Sequence, residues 1–159
     1  MGTAERTTFE LVPILQDGSC PDRPALHALA AEICGHMARS YRRTGFQEPW
    51  IGYLTFADGV NVGTCAFKGP PERGRVEIAY FTFPGFERRG HARQAAHALV
   101  ALAEAAQDAP IVTAQTLPRE SASTRILTRL GFINTGTVQH ERDGPVWEWV
   151  LQRPASRLL

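Results

Sequence analysis

The fold of this chain is decided by the stretch Phe81-Thr82-Phe83-Pro84-Gly85-Phe86-Glu87-Arg88-Arg89-Gly90-His91-Ala92-Arg93, in which an apolar strand stops and an alanine-rich helix begins. The first N–H groups of a helix have no intrahelical partner, and the helix dipole is positive at that end. Arg88, Arg89 and Arg93 add cationic side chains at the same place. The stretch therefore predicts a phosphate-binding loop. A solvated turn is the alternative, because basic loops with one glycine are common.

The elements around this loop follow a strand–helix–strand order. Val76 to Phe83 is an uninterrupted apolar and aromatic run, which is typical of a strand buried on both faces. Alanine, leucine and valine recur at helical spacing from Ala92 to Ala103. A strand from Ile111 to Thr116 and a helix from about Ser121 to Leu130, ended by Gly131, repeat the pattern. This is the βαβ order, and it predicts an α/β fold.

The rest of the chain supplies further strands and one more helix. Pro24 at a helix start, with Asp22 as a plausible N-cap, predicts a first helix whose last turn is rich in arginine. The other elements are predicted as a short strand from Phe9 to Ile14, a hairpin of Trp50 to Phe56 and Val60 to Phe67, and a second hairpin that turns at Asp143-Gly144.

Length and composition indicate one domain over residues 1–159, with flexible ends at 1–8 and 153–159. The net charge of +1 provides no overall field for nucleic acid or an acidic membrane surface. Cys20, Cys34 and Cys65 are odd in number and lack paired spacing, which indicates reduced thiols in the cytoplasm and no zinc site. No apolar leader begins the chain, and no run approaches the ~18 apolar residues of a membrane span.

Two segments resemble motifs of the GNAT superfamily of N-acetyltransferases. The pyrophosphate loop of that family runs Gln/Arg-x-x-Gly-x-Gly/Ala, and Glu87 to Ala92 resembles it at every position but the first. Ser121 to Phe132 resembles the family's closing helix, which ends in Leu-Gly-Phe. Glu77, thirteen positions before Gly90, is similar to the branch that acetylates the N-termini of ribosomal proteins. The resemblance implies a mixed sheet of about six to seven strands with a central V-shaped splay, flanked by helices.

The same resemblance implies acetyl-CoA as the co-substrate and no metal. The pantetheine arm would lie along the backbone of Phe81, Thr82 and Phe83, where one N–H would polarise the thioester carbonyl. A Cβ at Gly90 would crowd the phosphates. His91 would lie among the phosphates and face solvent. The implied phosphate-binding residues are Arg88, Arg89, Gly90, His91, Ala92 and Arg93.

Acetyl transfer to an amine needs a base, because a free amine has a pKa near ~10. Glu77 is the candidate, since an acid between Val76 and Ile78 should be desolvated, with its pKa raised. A structural carboxylate paired with Arg75 or another arginine is the equal alternative. Ser123, in the resembling helix, would contact the cofactor, and Ser123 or water would donate a proton to the thiolate. It suits a helix N-cap or a first-turn serine as well.

Three positions depart from the family pattern. Glu87 places a negative charge beside the phosphate loop, Glu120 replaces an asparagine, and Leu127 stands where many members have a tyrosine acid. These departures leave two hypotheses open. The chain is an acetyltransferase, or it is a non-catalytic acyl-CoA-binding sensor or assembly module on the same fold.

The acceptor is expected to be a primary amine of a small molecule or of a peptide or protein N-terminus. The predicted acceptor contacts are Tyr41, Arg42, Trp50 and Glu141. Arginines beside aromatic rings suit a carboxylate, and Glu141 suits an amine. Charged loops of this kind are more often simply solvated. The sequence is compatible with a monomer or a homodimer.

Overall fold

The computed structural model describes residues 7–21, 23 and 25–152, and these residues form one sheet of seven strands with three helices. The predicted flexible ends, apart from Thr7 and Thr8, lie outside the described residues. Thr8 is anchored, because its N–H donates to Asp58 Oδ1 at 2.9 Å. The elements are β1 (Phe9–Pro13), α1 (Ala30–Thr44), β2 (Gly52–Ala57), β3 (Val60–Phe67), β4 (Arg75–Thr82), α2 (His91–Ala105), β5 (Ile111–Thr116), α3 (Ala122–Leu130), β6 (Phe132–His140) and β7 (Gly144–Leu151).

The strands are ordered β1-β2-β3-β4-β5-β7-β6, and β4 and β5 are parallel while the other neighbours are antiparallel. α2 packs on β3 and β4, and α3 packs beside α2. α1 covers the opposite face, because Met37 Cε lies 2.7 Å from the position that a Cβ on Gly52 would take. The predicted α/β mixed sheet flanked by helices is confirmed. None of the three helices has the length and apolarity needed to cross a bilayer.

The sheet splits at its centre. β4 and β5 pair only as far as Ile78 opposite Ala114. β4 then continues to Thr82 against β3, and β5 continues to Thr116 against β7. The predicted V-shaped splay is therefore confirmed, and from residue 79 onward no strand of the described residues pairs with β4 on its β5 side.

The first helix begins later than predicted. α1 starts at Ala30 and not near Pro24. The preceding segment is held in a non-helical conformation, because the His27 N–H donates to Asn61 Oδ1 of β3 at 3.1 Å. The predicted N-cap Asp22 and the predicted first residue Pro24 lie outside the described residues.

β4 is buried on one face and only partly covered on the other. Val76 and Ile78 are buried, whereas Glu77 is half-buried and Phe81 is 51% exposed. The prediction of a strand buried on both faces is wrong beyond residue 78. Beside the splay, Phe81 has no β5 residue next to it, which leaves more of its ring exposed.

Tyr41 ties the first two strands to α1. Its buried hydroxyl donates to the Ile14 carbonyl at 2.8 Å and accepts from the Gly52 N–H at 2.9 Å. We expect Tyr41→Phe to lower the free energy of unfolding by about 2–3 kcal/mol, because it leaves two buried backbone groups unpaired. Urea denaturation measures this loss. The control is Tyr53→Phe, which removes one hydroxyl bond, to the Pro49 carbonyl. An equal loss in both variants would contradict the assignment.

Candidate active site

The predicted phosphate loop leads into α2 with an open helix start. Gly90 is the N-cap in the left-handed region, with φ of 83°, and Arg88 is also left-handed, with φ of 64°. The first helical bond runs from the Gln94 N–H to the Gly90 carbonyl at 3.1 Å. The N–H groups of residues 91–93 therefore have no intrahelical partner, and no side chain caps Gly90.

The charge around this helix start is positive. Arg88, Arg89 and Arg93 are all exposed there, and the Arg89 guanidinium lies 5.8 Å above the Phe86 ring. Glu87 is exposed and does not cap the helix, so its carboxylate leaves the N–H groups free. The free N–H groups and the arginine side chains together favour the binding of an anion at this helix start.

The space beside Gly90 is open. An ideal Cβ at this glycine has no atom within 4 Å, so the protein itself does not crowd the position. The positive φ favours glycine, and the open room beside the free N–H groups is where a phosphate oxygen would lie. The residues present therefore suit the diphosphate of coenzyme A.

His91 does not face solvent as predicted. Its ring is half-buried and stacks on Phe9 of β1, with ring centroids 6.3 Å apart. Its Nδ1 is buried and has no hydrogen-bond partner among the described residues. The ring turns back onto β1 because α2 packs against that strand. At the loop, the backbone N–H of His91 is the group that is available to bind an anion.

The direction of the β4 backbone corrects the predicted pantetheine contacts. The Phe83 N–H donates to Val62 of β3 at 2.8 Å, and the Glu77 carbonyl accepts from Lys68 at 2.9 Å. Backbone groups alternate along an antiparallel strand, so residues 77, 79, 81 and 83 point toward β3. Tyr80 and Thr82 then direct their N–H and C=O groups into the splay. Of the three predicted residues, only Thr82 does so.

Glu77 lies in an ion pair on the α1 face of the sheet. Its Oε2 is 2.6 Å from Lys68 Nζ, and the two side chains line a cavity of about 240 Å³ together with Thr113 of β5. The predicted alternative of a structural carboxylate in an ion pair differs only in its partner, which is Lys68 and not an arginine, because Arg75 pairs with Glu148 at 3.1 Å. Glu77 and Thr113 are partners in the last part of the β4–β5 ladder before the splay.

Ser123 lies on the other face, in the first turn of α3. Ser121 is the N-cap, and its capping box with Thr124 leaves Ser123 free of that task. The Tyr80 hydroxyl donates to the Ser123 carbonyl at 3.4 Å, which holds Ser123 close to the splay. Burial raises the pKa of Tyr80 to about 12, so the phenol keeps its proton at neutral pH.

The two other departures from the family pattern have structural roles. Leu127 is fully buried in the core, so no proton donor stands at that position. Glu120 accepts a hydrogen bond from the Thr124 hydroxyl at 3.3 Å at the start of α3. The positive end of the helix dipole stabilises a negative charge at this place.

The four predicted acceptor contacts are not brought together. Tyr41 is in the core, with its hydroxyl bonded on both sides. Trp50 is 6% exposed and packs edge-on against Phe67, with ring centroids 5.0 Å apart. Arg42 is exposed in the last turn of α1, and Glu141 is exposed between β6 and β7. Tyr41 and Trp50 are therefore too buried to contact an acceptor.

Sequence analysis missed two residues that the structure places at the site. Lys68 carries a signal of its own, since it is the chain's single lysine. Tyr80 carries a weaker signal, because a buried phenol needs a hydrogen-bond partner. The described part of the chain contains no group of three or more His, Cys, Asp or Glu residues able to hold a metal ion.

The family model described as "Acetyltransferase (GNAT) domain" matches residues 10–133. No curated protein matches the chain significantly. Three solved structures share the fold at low identity. An acetyltransferase from Salmonella typhimurium that modifies the N-terminal serine of ribosomal protein L7/L12 has TM-score 0.67 and 15% identity, covering 92% of this chain and 96% of that one.

Ribosomal-protein-S5-alanine acetyltransferase from Vibrio fischeri has TM-score 0.65 and 13% identity, and 94% of each chain is covered. RimL, a ribosomal L7/L12 α-N-protein acetyltransferase in complex with coenzyme A, has TM-score 0.65 and 15% identity, covering 90% of this chain and 93% of that one. The matched family spans most of the sequence, and the loop, splay and sheet order agree with it. The chain therefore belongs to the GNAT family and is an acetyl-CoA-dependent N-acetyltransferase.

Proposed function

We propose that this enzyme transfers the acetyl group to a primary amine by direct attack on the thioester, with Glu77 as the base and Ser123 as the proton donor. One observation carries the proposal. Glu77 lies on one face of the sheet, one pair before the splay, and the Ser123 backbone carbonyl contacts Tyr80 on the other face. A group held in the splay would have the proposed base toward one face of the sheet and the first turn of α3, with Ser123, toward the other.

The free N–H groups at the start of α2 would hold the diphosphate, with Arg88, Arg89 and Arg93 supplying counter-charge. Tyr80 and Thr82 would pair with the pantetheine amides as a neighbouring strand does. One of these two N–H groups would also stabilise the carbonyl oxygen as negative charge develops on it. Phe81, exposed beside the splay, would cover the arm.

Attack would come from the α1 face. Glu77 opens onto the cavity on that face, so it would accept the proton of an incoming ammonium directly or through water. Ser123 lies across the sheet, where the thiolate would leave. A thiol has a usual pKa near ~8.5, so the thiolate leaves readily and its proton donor contributes less than the base.

The acceptor would be a small-molecule amine or a protein N-terminus. The neighbours that modify ribosomal proteins L7/L12 and S5 support the second class. Arg42 and Glu141, both exposed, remain predicted acceptor contacts. Cys20, Cys34 and Cys65 are free, which is compatible with a cytoplasmic enzyme. We expect the enzyme to work as a monomer or a homodimer, without nucleic acid.

Thiol release from acetyl-CoA tests this proposal. A panel of small amines and of short peptides with free N-termini should contain an acceptor that raises free thiol well above the rate without acceptor. Peptides with blocked N-termini, but otherwise identical, are the matched control. Tight acetyl-CoA binding with no acceptor-dependent thiol across the panel would support the sensor alternative.

A further inference from the structure

Lys68 is the only lysine in a chain with 17 basic residues. The other basic side chains are arginines, whose guanidinium groups keep their protons and are not acylated under ordinary conditions. Lys68 is therefore the one side-chain amine of this protein that an acetyl group could reach.

This single amine sits beside the proposed base. Lys68 follows β3 directly opposite Glu77, and its backbone N–H donates to the Glu77 carbonyl at 2.9 Å. Its Nζ lies 2.6 Å from Glu77 Oε2. This contact is an ion pair and not a hydrogen bond, because Glu77 Oε2 has no hydrogen-bond partner among the described residues. Rotation about the last bond of the Lys68 side chain would direct an Nζ proton at the carboxylate.

Lys68 lies opposite Glu77, one pair before the splay. Lys68, Glu77 and Thr113 line one cavity on the α1 face, and the remaining lining residues belong to the connector after β3 and to the start of β4, on the side away from the splay. The β4–β5 ladder ends at the next pair, Ile78 with Ala114. The Lys68 side chain is 48% exposed and has a flexible four-carbon stem, so its amine can turn from Glu77 toward the splay.

We propose that Lys68 is itself an acetyl acceptor and that the enzyme acetylates this residue within its own chain. The inference rests on the proposed function of Glu77. One Nζ proton passes to Glu77, and the free amine forms a bond to the acetyl carbon as the carbon–sulfur bond breaks. The second proton ends on the departing thiolate, so the products are Nε-acetyl-lysine and free coenzyme A. Acetylation removes the charge of Lys68 and ends its ion pair with Glu77.

Intact-mass measurement after incubation with acetyl-CoA, without any acceptor, tests the inference. We expect a gain of one acetyl group, located by peptide mapping on Lys68. The first-order rate constant of this gain should rise with pH and be independent of protein concentration. Lys68→Arg keeps the cation beside Glu77 and should gain nothing at this position. Glu77→Gln should slow the gain on the order of 100-fold, the low end of what a positioned base contributes.

Heat-unfolded protein is the control for uncatalysed acetylation, and it should react far more slowly at Lys68. The inference is overturned if the folded enzyme releases thiol with the amine panel yet leaves Lys68 unmodified, or if the unfolded chain reacts equally fast. It is also overturned if the fraction of chains acetylated per unit time rises in proportion to protein concentration, since transfer then occurs between chains. If acetyl-CoA neither binds nor releases thiol with any amine, the proposed function has failed instead.

Discussion

Gly90→Asp is expected to weaken acetyl-CoA binding by on the order of 100-fold or more, because it places a carboxylate against the two phosphates. The substitution should leave the fold intact. Aspartate tolerates the left-handed φ of 83° better than most residues, and a Cβ at this position has no atom within 4 Å. Isothermal titration calorimetry with coenzyme A measures the loss directly.

Gly90→Asn is the matched control. Asparagine has nearly the same shape and the same tolerance of the left-handed region, but it carries no charge. We expect it to bind coenzyme A far more tightly than Gly90→Asp does. An unchanged affinity in Gly90→Asp would remove the diphosphate from the α2 helix start, and equal losses in both variants would mean that bulk and not charge is responsible.

Glu77→Gln is expected to lower kcat by on the order of 100-fold near neutral pH, while the affinity for acetyl-CoA is retained. The ratio of wild-type to variant rates should be largest at low pH. An acceptor amine is mostly protonated there, because its usual pKa is near ~10, so removal of its proton depends most on the base. The ratio should fall as pH rises and free amine becomes abundant.

Glu72→Gln provides the comparison for this experiment. Glu72 lines the same cavity and carries the same charge, but its side chain is exposed on the connector between β3 and β4. Its replacement should change kcat little at any pH. If the Glu77→Gln ratio is the same at every pH, Glu77 serves to hold Lys68 in place and is not the base.

The sequence predicted those parts of the fold that depend on short stretches. The phosphate loop, the α2 start and the cap at Gly131 each follow from residues within a few positions of one another. Gly90 and Gly131 both take positive φ, a conformation in which glycine carries no steric penalty. Strands β3 and β5 have the predicted ends for the same reason, since turn residues flank them closely.

The sequence did not predict contacts between residues far apart in the chain. The α1 start depends on Asn61, more than thirty positions away, which holds the N–H of His27. His91 turns inward because Phe9 of β1 is there to stack on. Such partners are set by sheet order and register, and a local pattern carries no information about them.

In the candidate site, too, features set by neighbouring residues were predicted and contacts between distant residues were not. The residue types at the loop and at Glu77 followed from motifs, but the direction of each backbone group did not. Whether Phe81 or Thr82 faces the splay depends on the pairing of β4 with β3, which shifts with one residue of register. Buried aromatic residues such as Tyr41 and Trp50 look the same in sequence whether they line a pocket or fill the core.

Amide NMR spectra recorded during titration with coenzyme A show which backbone N–H groups the cofactor contacts. Binding of the diphosphate by the free N–H groups of residues 91–93, with the pantetheine arm in the splay of β4, has a specific signature. The largest shifts are expected at His91, Ala92 and Arg93 and at Tyr80 and Thr82. Saturable binding that leaves these five amides unmoved would contradict the account.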